Sequence, residues 1–94
     1  MLSPDENGNG GGGSPDIIAL QALAWIVSEE GRANRLLSLT GLDADQLRDR
    51  AADPVLWQAA FDFLAAHEPD LLACAQDLSL APERLMQAAR EISR

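Results

Sequence analysis

PDIIALQALAWIV, residues 15–27, returns 38 positions later as DPVLWQAAFDFLA, residues 53–65, with no gap. Ile17, Ile18, Leu23, Trp25 and Ile26 fall on Val55, Leu56, Phe61, Phe63 and Leu64, and Ala22 falls on Ala60. The register runs on beyond the two stretches: Glu30 meets Glu68, Leu42 meets Leu80, Leu47 meets Leu85 and Ala51 meets Ala89. A period of this length belongs to helical repeats. Residues 17–27 are apolar nearly all round, with Gln21 the main exception, and such a pattern predicts a central, buried helix rather than a surface one. In the second copy Gln58 and Asp62, one turn apart, mark a wet stripe.

The segments around these helices carry start and stop signals. Ser14-Pro15-Asp16 and Asp53-Pro54 each place a capping side chain before a proline in the first helical turn. Gly31 predicts a left-handed cap closing the first helix, and a shorter second helix follows over about 32–39. Asp43 and Gln46 have the spacing of a capping box, and Leu42 and Leu47 that of a hydrophobic staple, for a third helix running to about residue 52. After 55–66, His67-Glu68-Pro69 interrupts the chain before a fifth helix over 70–78. Leu80 and Leu85 repeat the staple, and the last helix spans 82–92, with Ala81 a poorer cap than Asp43. No segment alternates apolar and polar residues as a strand does. The predicted fold is all-α: a compact bundle of five or six helices, without β-sheet, made of two helix–helix–helix units at 15–52 and 53–92. The two long helices cross at the centre. Residues 1–14, rich in glycine, read as a disordered tail before a single helical domain at 15–94.

Composition narrows the function. The chain has 94 residues and one cysteine, Cys74, so it forms no internal disulfide. A lone cysteine and no signal peptide point to the cytoplasm, and no apolar run is long enough to span a bilayer. Fifteen acids face seven bases, all of them arginine, for a net charge of −8. Such a balance argues against nucleic-acid or anionic-membrane binding, and its plainest effect is solubility. The abundance of Ala and Arg without Lys reads as genomic base composition rather than as selection for recognition.

Candidate sites are few. Cys74 occupies the place of Leu36 and reads as a small core residue. His67 reads as a cation favouring a helix C-terminus, and Pro69 breaks the helix that would have to bring it to Cys74. One His and one Cys make no soft-metal site, and no cofactor is implied. Leu37, Gly41 and Leu47, and likewise Ala75, Ser79 and Leu85, have helix-turn-helix spacing. The last helix, carrying Arg84, Gln87 and Arg90, is the better DNA-reading candidate of the two, against the overall charge. Trp57 stands where the first unit has Ala19. It either fills the core or projects as an interface anchor. The leading expectation is a non-enzymatic module that binds another protein, with Trp57, Arg84 and Arg90 as candidate contacts and a homodimer as one possibility. The alternatives are a helix-turn-helix DNA binder and a small enzyme.

Ala22-Leu23-Ala24-Trp25, Leu36-Leu37-Ser38-Leu39-Thr40-Gly41-Leu42 and Leu64-Ala65-Ala66-His67-Glu68 together resemble domain of unknown function family 3572, short proteins mostly of alphaproteobacteria. The resemblance covers roughly 17–92. It departs at the last turn, where Ser79-Leu80-Ala81-Pro82-Glu83 replaces a Gly-Leu-x-Pro-Glu pattern. It implies a bacterial cytoplasmic setting and no activity, cofactor or site.

Overall fold

The computed structural model describes residues 14–92, and within them six helices and no strand. They are α1 (Pro15–Val27), α2 (Glu30–Thr40), α3 (Ala44–Asp49), α4 (Pro54–Ala65), α5 (Glu68–Asp77) and α6 (Pro82–Ile92). Apart from Ser14, the expected tail lies outside the described residues.

The 38-residue register is visible in the elements themselves. Shifted by it, α2 and α5 start together, α3 and α6 start together, and α1 and α4 end together. The cores match as well. Ile18, Ala22, Leu23 and Ile26 of α1 are buried, and so are their counterparts Leu56, Ala60, Phe61 and Leu64 of α4. Leu36 and Cys74 are both fully buried, as the alignment predicts. Packing is tightest among α1, α4 and α6, so the centre holds three helices rather than two. α5 lies against α4, α6 and α1, and α2 lies across α1 and α4.

Local chemistry sets most of the boundaries. Asp43 Oδ1 accepts from the Gln46 N–H at 2.8 Å while the Asp43 N–H donates to Gln46 Oε1 at 3.0 Å, the expected capping box. Asp53 Oδ1 accepts from the Val55 N–H at 2.9 Å. Ser14 does not cap; its hydroxyl donates to Asp16 Oδ1 at 2.6 Å.

The Gly31 expectation is corrected. α1 ends at Val27, and Glu29 starts the next helix by accepting from the N–H groups of Arg32 at 2.8 Å and Gly31 at 3.2 Å. Gly31 is therefore the second residue of α2, and a Cβ there would meet the Glu29 carboxylate at 3.2 Å. The break before α5 is also shorter than expected, because Pro69 sits inside the first turn, where its missing N–H costs nothing. α3 stops at Asp49, short of residue 52.

Each unit reverses after its second helix through a left-handed residue at the same register position. Gly41 has φ +75° and Ser79 has φ +60°. The first turn is closed by one bond, Gly41 N–H to the Leu37 carbonyl at 2.9 Å. The second has the two bonds of a Schellman motif, Leu80 N–H to the Ala75 carbonyl at 2.8 Å and Ser79 N–H to the Gln76 carbonyl at 3.1 Å.

α2 carries two arginines one turn apart, and the second of them reaches across to the other unit. The Arg32 guanidinium lies 3.7 Å from the centre of the Trp25 ring, and that of Arg35 lies 5.1 Å from the ring of Phe63, the counterpart of Trp25. Trp25 packs half-buried against the core, its indole N–H donating to Asp77 Oδ2 at 2.6 Å.

Candidate functional site: an open corner between the first three helices

The expectation of a buried first helix holds on one face only. Ile18, Ala19, Ala22, Leu23 and Ile26 are buried, but Ile17, Leu20 and Val27 remain 49%, 42% and 38% exposed, and Ala24 is exposed between them. Positions 17, 20, 24 and 27 follow one stripe of a helix. In α4 the same register positions are Val55, Gln58, Asp62 and Ala65. There the middle of the stripe is polar, and Gln58 Nε2 approaches Asp62 Oδ1 at 3.5 Å. The two halves thus diverge at Leu20 against Gln58 and Ala24 against Asp62. That signal lay in the sequence, in the pairs where an apolar residue faces a polar one.

The exposed stripe forms one wall of a groove of about 550 Å³. Leu20, Leu23, Ala24 and Val27 come from α1, and Ala33 and Leu37 from α2. Ala44, Leu47 and Arg48 of α3, with Ala51 just beyond it, close the other side. Its origin lies in the unequal third helices. α6 has eleven residues and packs on α1, α4 and α5, whereas α3 has six and packs closely on no neighbour to that extent. Leu47 is the only α3 residue that is buried. Small side chains widen the gap: Ala33 stands where the second unit has Leu71, and Leu23 where it has the larger Phe61.

Arg48 is the only charged residue in the lining, and its guanidinium is 3.3 Å from Asp45 Oδ1. Glu29 and Glu30 follow the open end of α1. The N–H donors of Arg32 and Gly31 hold the Glu29 carboxyl below its ordinary pKa, so it stays ionised.

Trp57 packs half-buried against the core, and its indole N–H donates to the Ala51 carbonyl at 2.6 Å. It stands outside the groove lining and braces the chain behind it. Arg84 lies on α6 with its guanidinium 3.4 Å from Glu91 Oε1, and Arg90 is exposed on the same helix. The structure brings none of these three residues into the groove. A second hollow, about 210 Å³, lies at the start of α4 beside Arg50, Asp53 and Val55.

His67 does follow the C-cap of α4, its N–H donating to the Leu64 carbonyl at 3.2 Å, but it is also the N-cap residue of α5, and its side chain turns to that helix, with Nδ1 2.9 Å from Asp70 Oδ2. Arg35 reaches the same oxygen at 3.1 Å. Burial pushes the Asp70 carboxyl up, but the bonds from His67 and Arg35 outweigh it and hold the pKa below its ordinary value. Cys74 is fully buried, and burial, with Asp77 adding to it, pushes its thiol up to about 12. Such a thiol is the reverse of an activated nucleophile. Among the described residues no three His, Cys, Asp or Glu side chains converge as a metal would require, and no helix is long and apolar enough to cross a membrane.

No curated protein and no solved structure matches the chain. Residues 13–93 match the family described as protein of unknown function (DUF3572), and the chain belongs to that family.

Proposed function

We propose that this protein is a non-enzymatic interaction module that receives a helix of another protein in the groove between α1, α2 and α3. The observation that carries the reading is the exchange of a polar stripe for an apolar one. At register positions where α4 carries a half-buried Gln58 and an exposed Asp62, α1 leaves Leu20 and Ala24 exposed. Leaving side chains of leucine size exposed forgoes about 1 kcal/mol or more each, and a partner that covers them recovers that energy. Walls built from helical ridges suit an amphipathic helix reading out at i, i+3, i+4 and i+7. Catalysis would need convergent polar groups. The groove offers one arginine, already paired with Asp45, among aliphatic side chains.

The test uses a helical peptide with leucines at heptad a and d positions and glutamine elsewhere, titrated into the labelled protein and followed by amide NMR. Shifts should concentrate at Leu20, Val27, Ala33 and Leu37. The double variant Leu20→Gln/Ala24→Asp gives α1 the residues that α4 already carries at those positions, so it should fold normally and lose the shifts. Binding that survives in the folded double variant would rule the groove out.

A further inference from the structure

Resting on that docking reading, we infer that the groove's partner is a helix whose apolar stripe is flanked by lysine or arginine, and that the charges around the groove select it. α1 ends at the groove, and the Arg32 guanidinium already meets its last turn at the Trp25 carbonyl, so the acids that follow supply the charge of the rim. Glu29 and Glu30 continue the chain from that end, and Glu30 shares the α2 face of Ala33 and Leu37 at i, i+3 and i+7. Arg32 and Arg35 act on Glu29 through space and help to keep it ionised, but their guanidinium groups are bonded to other partners. Arg32 stacks on Trp25 and donates to the Trp25 carbonyl at 2.9 Å, and Arg35 reaches over to Asp70 on α5. Arg48, inside the groove, has Asp45 beside it. Behind this rim the whole chain carries −8, a field that speeds the approach of a basic segment and slows an acidic one. A second copy of this chain would bring the same acids to the same rim, so the inferred occupant is a different, basic partner. The apolar stripe gives the helix its seat, and the rim gives it its sign.

Three peptides test this, identical in their leucine stripe and carrying lysine, glutamine or glutamate at the flanking positions. Affinities come from calorimetric titration at low and high salt, against the wild-type protein and Leu20→Gln/Ala24→Asp. The expected order is lysine, then glutamine, then glutamate. The lysine and glutamate peptides should differ by about tenfold or more at low ionic strength, with the gap closing as salt screens it. Glu30→Gln, which leaves the Glu29 cap of α2 in place, should narrow the gap between the lysine and glutamate peptides. Equal affinity for all three, lost in the stripe variant, would overturn the charge inference and leave the docking reading intact. No binding of any peptide, or binding that survives the stripe variant, would overturn both. A concentration-dependent dimer in sedimentation that the stripe variant abolishes would make a second copy the occupant and overturn the basic partner.

Discussion

Ser79 invites a replacement that should make the protein more stable. It is the one non-glycine residue with positive φ among those described, at +60°, and it closes the α5–α6 corner with two backbone bonds. An L-residue in that region costs roughly 1–2 kcal/mol that glycine avoids. Glycine in turn gives up about 0.5–1 kcal/mol through the greater freedom of the unfolded chain. The balance for Ser79→Gly is a gain of about 0.5–1 kcal/mol, seen as a melting temperature higher by about 2–8 °C in a domain of this size. Gly41, at the same register position with φ +75°, supplies the reciprocal test. A Cβ there meets nothing within 4 Å, so Gly41→Ala isolates the backbone effect from any clash. It should cost about 1 kcal/mol. Urea unfolding of both variants, with unchanged denaturant slopes, measures the two shifts. A neutral or destabilising Ser79→Gly beside a tolerated Gly41→Ala would refute the claim that both corners depend on a left-handed residue.

Cys74 should react with a thiol reagent far more slowly in the folded protein than in urea, because its thiol is buried and its pKa is pushed up to about 12. Cys74→Leu, which copies Leu36, should overpack its site and cost about 1–3 kcal/mol in denaturant unfolding. Asp70, whose folded-state pKa is depressed, contributes stability that is present above its unfolded value near ~3.9 and is lost as the pH falls through the folded one. Asp70→Asn should therefore be less stable than wild type at neutral pH, with the gap shrinking below about pH 4 in unfolding measured at stepped pH. Trp57→Phe removes the indole bond to the Ala51 carbonyl and should cost about 1 kcal/mol, with faster amide exchange in α3 as the local sign of a loosened brace.

The helices were legible because their signals are local and consistent: Asp43 with Gln46, Asp53 with Pro54, and the leucine-spaced corners. The 38-residue register carried further than the patterning alone, placing Cys74 in the core and predicting equivalent helix starts. Gly31 misled because a glycine marks a helix end only when nothing nearby supplies a cap. Glu29, two residues earlier, supplies one for the following helix. His67 misled because its role depends on Asp70 and Arg35, the latter from a helix 32 residues away in sequence. The groove was hidden for a different reason. An all-apolar α1 reads as buried on every side, and only the packing of α3 and α6 decides which side stays open. Trp57, the most conspicuous break in the register, lies half-buried with its indole bonded to the Ala51 carbonyl, whereas the less conspicuous breaks at Leu20 and Ala24 line the groove.

The short third helix has a thermodynamic consequence. α3 is moored to the core by a single buried leucine, Leu47, and hangs between the Gly41 corner and the Trp57 brace. Releasing it forfeits the burial of one side chain and a handful of exposed helical bonds, a small fraction of what unfolding the α1–α4–α6 centre would require. The groove therefore has one rigid jaw and one compliant jaw. A bulkier side chain on an incoming helix would be met by a shift of α3 rather than by strain in the core. If the groove docks a helix as proposed, rigidifying changes in α3 should narrow the range of peptides it accepts while leaving the melting temperature almost where it was.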